Sequence, residues 1–177
     1  MPTLCVTTWY LEMDARPLRA PRSAPRGMHL ARVPHPSVPF VRFLYETIGR
    51  EWLWIDRRRM PDTELAAIVG DPAVETFVAY ADGAPVGWFE LDRRMPGQCE
   101  LAYFGLFPEW IGRGAGAWLL DEAIERAWEP GPHRVWVHTC SLDHARALST
   151  YERAGFVRYD EAVFEIDDPR PLPVTPR

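Results

Sequence analysis

Three glycines, Gly112, Gly114 and Gly116, lie within five residues between an apolar run and a helical pattern. The first turn of a helix has unpaired N–H groups and a partial positive charge, and glycine lets a ligand approach that backbone closely. Arg113 adds a positive charge, and no acidic side chain lies between residues 110 and 120. The spacing therefore predicts a site for a phosphate or pyrophosphate.

The segment GRGAGA, residues 112–117, also fits the GxGxxA pattern of dinucleotide-binding proteins. That pattern requires a strand directly before the first glycine and an acidic residue at the end of the next strand. Here PEWI precedes Gly112, and the next predicted strand, residues 133–140, contains no acidic residue. A dinucleotide-binding oxidoreductase remains an alternative, but the surrounding elements disfavour it.

The glycines must be positioned by elements that hydrophobic periodicity predicts on both sides of them. Predicted strands cover residues 3–12, 74–81, 85–93, 99–107, 133–140 and 156–167, and predicted helices cover residues 37–49, 60–70, 112–128 and 143–155. Residues 16–39, with six prolines and five arginines, are predicted to be a loop. Asp62 or Thr63 is expected to cap the second helix. The helix 112–128 is a crossover, so the strands on either side of it should run parallel within a mixed sheet.

Composition excludes several classes of function. All 20 basic residues are arginine, so a Walker-type phosphate loop and a lysine Schiff base are both excluded. The net charge of −5 gives no basic footprint for a nucleic acid. Three dispersed cysteines predict neither a disulfide framework nor a metal site. Without a signal segment or a membrane-length apolar run, we expect a cytoplasmic protein that does not bind a membrane.

The segment 100–157 resembles the acetyl-CoA-binding half of the Gcn-related N-acetyltransferase (GNAT) superfamily. The family pattern Q/R-x-x-G-x-G/A corresponds to IGRGAG, residues 111–116, with Ile111 in the first position. The family pattern N-x-x-A-x-x-x-Y-x-x-x-G-F corresponds to residues 144–156, with His144 in place of Asn. The matching positions of this second pattern are Ala147, Tyr151, Gly155 and Phe156.

The resemblance implies an α/β (α+β) structure, the GNAT fold, with a mixed, mostly antiparallel, twisted sheet of six to seven strands flanked by about four helices. Residues 1–177 would form one N-acetyltransferase domain, with its core in 28–170 and a tail at 168–177. The implied reaction transfers an acetyl group from acetyl-CoA to a primary amine by direct attack in a ternary complex. A CoA-binding sensor without turnover is the alternative, and a homodimer is expected by analogy.

The same resemblance places the cofactor. Backbone of Leu106, Phe107 and Pro108 would flank the pantetheine and the acetyl carbonyl where two parallel strands splay apart. His144 would contact the cofactor in place of the missing Asn. The N–H groups expected to bind the pyrophosphate belong to Gly112, Arg113, Gly114, Ala115, Gly116 and Ala117.

Acid–base roles are also implied by the family. Tyr151 would protonate the leaving thiolate, and Glu100 would act as the base. Glu90, which shares one face of its strand with Trp88, is a second candidate base. His138 and Tyr103 either relay a proton or serve only a structural role.

The acceptor is expected to be a small-molecule or peptide amine bound by aromatic side chains, which suit a flat or cationic group. A run of three arginines is expected either to bind an acceptor carboxylate or the 3′-phosphate of the cofactor, or to form a solvated face. These arginines are Arg57, Arg58 and Arg59. The residues predicted to bind the acceptor are Trp52, Trp54, Trp88 and Tyr103.

Overall fold

A single seven-stranded sheet organises the computed structural model, which describes residues 3–170. Its strands are β1 (Thr3–Met13), β2 (Met28–Val33), β3 (Val74–Ala81), β4 (Ala84–Asp92), β5 (Gln98–Leu106), β6 (Arg134–Cys140) and β7 (Val157–Asp167). The helices are α1 (Val38–Gly49), α2 (Asp56–Arg59), α3 (Asp62–Val69), α4 (Ala115–Ala127) and α5 (Ala147–Ala154). The spatial order is β2-β3-β4-β5-β6-β1-β7, which confirms the predicted mixed, mostly antiparallel sheet.

The sheet opens between β5 and β6. These strands are parallel, as the crossover helix predicts, but they pair over only three residues, from Gln98 with Arg134 to Glu100 with Trp136. The chain continues along both strands, to Leu106 and to Cys140, without further pairing between them. The resulting gap exposes backbone and side chains in the middle of the sheet.

Of the two strands in the first 33 residues, β1 is predicted from the sequence and β2 is not. β2 lies within the segment predicted to be a loop, and it forms because its six residues contain no proline and pair antiparallel with β3. β1 lies between β6 and β7 in the sheet. The interval 28–170 predicted for the core is therefore too short at its N-terminal end. Residues 171–177 of the predicted tail lie outside the described residues.

The helices differ in how they begin. Ser37 Oγ accepts a hydrogen bond from the Phe40 N–H, which caps α1. The cap predicted for α3 at Asp62 or Thr63 is wrong, because Pro61 occupies that position without a side-chain hydrogen bond. α5 begins at Ala147, four residues later than predicted.

Helices cover both faces of the sheet. α4 and α5 pack on one face, where Leu119 meets Phe89 and Leu101. α1 packs on the other face, where Tyr45 meets Trp88. None of the helices within residues 3–170 is long and apolar enough to cross a membrane.

Candidate active site

A cavity of about 800 Å³ passes through the gap between β5 and β6. The glycine segment and Tyr151 line it on the side of α4 and α5. Tyr103 and His138 line it on the side of α1. On β6 the two faces follow from strand alternation, because Val137 packs in the α4 core and its neighbour His138 points the other way. On β5 a register shift against β4, between Leu101 and Tyr103, places Tyr103 on the face opposite Leu101.

The glycine segment presents open backbone at the start of α4. Gly112 has φ +82° and Gly114, the N-cap of α4, has φ +84°, a conformation that other residues adopt with strain. A Cβ at either position would meet no atom within 4 Å, so a ligand can approach this backbone. No acidic residue lies in the first turn of α4. This geometry fits the pyrophosphate of a CoA molecule.

The other residues around the glycine segment differ in whether they line the cavity. Gly116 and Ala117 line the cavity, whereas Ala115 is fully buried. The guanidinium of Arg113 lies 5.4 Å from the ring centroid of Trp110. Ile111, where the family pattern has Gln or Arg, lines the cavity with an apolar side chain.

Of the three residues predicted to flank the pantetheine, Leu106 lines the cavity. The Phe107 N–H donates to the Val86 carbonyl, and the Phe107 carbonyl accepts from the Trp110 N–H. Pro108 has no N–H to donate and begins a short 3-10 turn that ends at Trp110. Leu106 is therefore the member of this trio with a surface open to a ligand.

Tyr151 lies on α5 with its ring among Phe104 and Phe156. It is 7% exposed and lines the cavity. Burial raises the pKa of its phenol well above the ordinary value, so the hydroxyl stays protonated at neutral pH. It can therefore give a proton but cannot act as a base.

Glu100 and His138 form a pair where β5 and β6 separate. Glu100 Oε1 lies 3.3 Å from His138 Nδ1. The hydrogen bond to Glu100 raises the pKa of His138 against the effect of burial, and the charges of Glu100, Asp143 and Asp56 act in the same direction as the bond. A carboxylate that holds one imidazole nitrogen leaves the other free to exchange a proton.

Glu90 is placed away from the cavity. It is 1% exposed, and its two oxygens accept hydrogen bonds from the Arg57 guanidinium at 2.7 and 2.5 Å. Burial raises the pKa of Glu90, and the bonds from Arg57 oppose that effect. The prediction of Glu90 as a catalytic base is corrected, because the carboxylate is enclosed and already engaged.

Three of the four predicted acceptor residues line the cavity, namely Trp52, Trp54 and Tyr103. Trp88 is fully buried and stacks beneath Tyr103 with ring centroids 5.4 Å apart. The prediction that Trp88 contacts an acceptor is therefore corrected, since its ring supports Tyr103 from behind. Burial raises the pKa of Tyr103 to about 12, which keeps its hydroxyl protonated.

A loop over residues 50–55 connects the two sides of the cavity. Trp54 Nε1 donates to Asp143 Oδ1 at 3.1 Å, and the ring of Trp52 contacts His144 at 5.3 Å between centroids. Leu53, between the two tryptophans, has φ +56°, a strained conformation that turns both rings inward. Asp143 is a site residue that the sequence does not predict, because its place before a helical pattern indicates a helix cap.

A second missed element is the segment before β2. Asp121 of α4 is 3% exposed and accepts hydrogen bonds from the Arg19 guanidinium and from the Arg22 N–H and guanidinium. Burial alone would raise the pKa of Asp121, but these bonds lower it below its ordinary value. Arg22 thereby reaches the cavity on the side of α4.

The amino-acid sequence also matches a known protein family. The sequence model of the acetyltransferase (GNAT) family matches residues 41–156. The chain belongs to the GNAT acetyltransferase family. GNAT membership supports acyl-CoA-dependent acyl transfer in general terms, and the GNAT fold agrees with the seven-stranded sheet. No curated protein matches this chain.

Solved structures resemble this GNAT chain at low sequence identity. A GCN5-related N-acetyltransferase from Sphaerobacter thermophilus has a TM-score of 0.70 and 18% identity, covering 90% of this chain and 50% of that one. A GCN5-related N-acetyltransferase from Kribbella flavida has a TM-score of 0.63 and 22% identity, covering 93% and 59%. A tandem GNAT protein from the clavulanic acid biosynthesis pathway has a TM-score of 0.66 and 19% identity, covering 90% and 52%. The chain thus spans about half to three fifths of their length, and the likeness shows the fold.

Proposed function

We propose that this protein transfers an acetyl group from acetyl-CoA to a primary amine by direct attack in a ternary complex. One observation carries the proposal. A single cavity through the sheet has the open glycine backbone and the protonated Tyr151 on one side and His138, whose Nδ1 pairs with Glu100, on the other. Acyl transfer to an amine needs an acid for the leaving group and a base for the nucleophile.

The cofactor would be held by this chain's backbone. N–H groups around Gly112, Gly114 and Gly116 bind the pyrophosphate, and Leu106 flanks the pantetheine. His144, whose Nδ1 accepts from the Arg146 N–H, borders the same cavity. Bound acetyl-CoA supplies an activated thioester, and every other step belongs to side chains of the protein.

His138 would deprotonate the acceptor. An amine reaches the cavity as an ammonium ion, and it must lose a proton before its lone pair can attack a carbonyl. The imidazole takes that proton, and Glu100 stabilises the imidazolium that forms. His138 thus replaces Glu100 as the group that takes the proton, and Glu100, which the family resemblance implies as the base, supports it through their hydrogen bond.

Tyr151 would complete the proton balance. As the amide C–N bond forms and the C–S bond breaks, Tyr151 would give its proton to the departing sulfur, and the attacking nitrogen would lose its second proton to solvent. The phenol of Tyr151 holds its proton at neutral pH, and its ring lies beside the apolar side chains of Phe104 and Phe156. Solvent then restores the phenol when the products leave.

The test combines binding and turnover. Calorimetric titration should detect acetyl-CoA but not NADH, and a thiol-release assay with an amine panel should detect turnover. His138→Gln should lower kcat/KM by about 10²- to 10⁴-fold with unchanged acetyl-CoA affinity. His133→Gln, an exposed histidine away from the cavity, is the matched control.

The possible outcomes separate the alternatives. Tight acetyl-CoA binding without release of thiol by any amine would indicate a CoA-binding sensor. Binding of NADH alone would instead support a dinucleotide-binding oxidoreductase. Full activity in His138→Gln would remove the imidazole from the mechanism while leaving the acetyltransferase proposal in place.

A further inference from the structure

We infer that the acceptor is a small amine with an aromatic or apolar body and no carboxylate beside its amino group. The inference rests on the proposed function and narrows its substrate class. It follows from the charges, the aromatic surfaces and the enclosure of the cavity on the side of α1.

Carboxylates dominate the acceptor side. Asp56, Glu100 and Asp143 all lie close enough to His138 to act on it electrostatically. Asp143 accepts hydrogen bonds from Thr139 Oγ1, the Cys140 N–H and Trp54 Nε1, which are neutral donors, so its charge is not cancelled. An approaching ammonium group is attracted by this arrangement, and an approaching carboxylate is repelled.

Within residues 3–170, no arginine lines the cavity on this side. The side chain of Arg57 is 4% exposed, its two terminal nitrogens donate to Glu90, and the Tyr103 ring covers its guanidinium at 4.3 Å. Arg58 and Arg59 do not line the cavity. The arginines that do so are Arg22, Arg146 and Arg153, which lie beside α4, at the N-cap of α5 and in α5, around the cofactor side.

Aromatic rings provide the surface for the body of the amine. Tyr103 lies 5.4 Å from Tyr45 and 5.5 Å from Trp54 between ring centroids. All three side chains line the cavity, and the apolar side chains of Phe164 and Ile166 extend it across β7. An ammonium group is stabilised by cation–π contacts with such ring faces as well as by the carboxylates, and a flat apolar body packs against the rings.

The loop over residues 50–55 limits the size of the acceptor. Trp54 of this loop contacts Asp143, and Trp52 contacts His144. The loop therefore covers part of the cavity on the acceptor side. A cavity of about 800 Å³ must also hold the acetylated end of the cofactor. The remaining space suits a small molecule and excludes a folded protein surface.

The test uses amines in matched pairs that differ by one carboxylate: phenethylamine with phenylalanine, tyramine with tyrosine, and tryptamine with tryptophan. Thiol release is measured at saturating acetyl-CoA. We expect kcat/KM to be at least about 100-fold higher for the amine than for the amino acid in each pair, since like charges in one site cost several kcal/mol. Asp56→Asn should reduce that ratio by about tenfold. Asp82→Asn, in the turn between β3 and β4, should leave it unchanged.

Three results would overturn the inference, two of them from the matched pairs. One is a ratio near unity for all three pairs, and the other is an Asp56→Asn enzyme with the wild-type ratio. Acetylation of a lysine-containing peptide but of none of the six small compounds would also overturn it, while the proposed acetyltransfer would stand. Absence of acetyl-CoA binding in calorimetry marks failure of the proposed function and is measured before any amine is added.

Discussion

Replacing Glu90 by Gln should destabilise the protein by about 3–5 kcal/mol, because the change leaves Arg57 charged, buried and without its partner. The two side chains are 1% and 4% exposed, and two hydrogen bonds of 2.7 and 2.5 Å join them. Water cannot replace the lost carboxylate at this depth. The buried position of both groups therefore sets the size of the effect.

The assay is urea or thermal denaturation at neutral pH. For a chain of this length, about 1 kcal/mol corresponds to about 2–4 °C in Tm, so the expected loss is roughly 6–20 °C. Glu122→Gln is the matched control, since Glu122 pairs with Arg126 on the surface of α4 at 3.3 Å. That variant should change the free energy of unfolding by only about 0.3–0.5 kcal/mol.

A double variant separates the lost charge balance from lost packing. Arg57→Met with Glu90→Met removes both charges and keeps apolar volume, so it should be more stable than Glu90→Gln alone. The reasoning is refuted if Glu90→Gln loses no more stability than Glu122→Gln. It is also refuted if the double variant is the least stable of the set.

Three further predictions concern the cavity and its supports. Glu100→Gln should move the acidic limb of the kcat/KM profile to lower pH, because the hydrogen bond that raises the pKa of His138 is lost. The stability this pair contributes is present below the ordinary histidine pKa of about 6.5 and is lost as pH rises through the raised value. Gly114→Ala should weaken acetyl-CoA binding in calorimetry and cost about 1–2 kcal/mol, since its φ is +84°. Asp121→Asn should cost about 1.5–3 kcal/mol at neutral pH in denaturation, because hydrogen bonds to a charged group are lost. Since its pKa is lowered in the fold, its contribution is present above about pH 3.9 and lost as pH falls through the lowered value.

Each of these has an outcome that contradicts it. An unmoved acidic limb in Glu100→Gln would show that the carboxylate does not tune the base. Wild-type cofactor affinity and stability in Gly114→Ala would show that the left-handed backbone is not needed at that position. Equal stabilities of Asp121→Asn and wild type at neutral pH would show that the segment before β2 is held by other contacts.

Several elements could be predicted because their determinants are local. Strand alternation between residues 74 and 106 predicts the meander of β3, β4 and β5 almost residue by residue. The glycines at 112 and 114 predict backbone that a ligand can approach, and the structure has φ of +82° and +84° there with no atom within 4 Å of an added Cβ. The resemblance of residues 144–156 to the GNAT pattern implies a site role for Tyr151, and Tyr151 lines the cavity.

Other features depend on partners that are remote in the chain. β2 escapes prediction because an edge strand of six residues inside a proline-rich segment gains its hydrogen bonds only from β3. From its place in the alternation of β4, Glu90 cannot be told from an acidic residue that faces solvent. It is buried in an ion pair only because Arg57 of α2 packs against it. Local spacing contains no information on such pairings.

By itself, the sequence determined the glycine turn into α4, the helix that presents Tyr151 and the alternation of the central strands, because φ preferences and periodicity act over a few residues. Only the tertiary structure decided that β1 lies between β6 and β7, that Glu100 meets His138 and that Trp88 is covered by Tyr103. These arrangements depend on strand order and register, which are set by burial across the whole sheet.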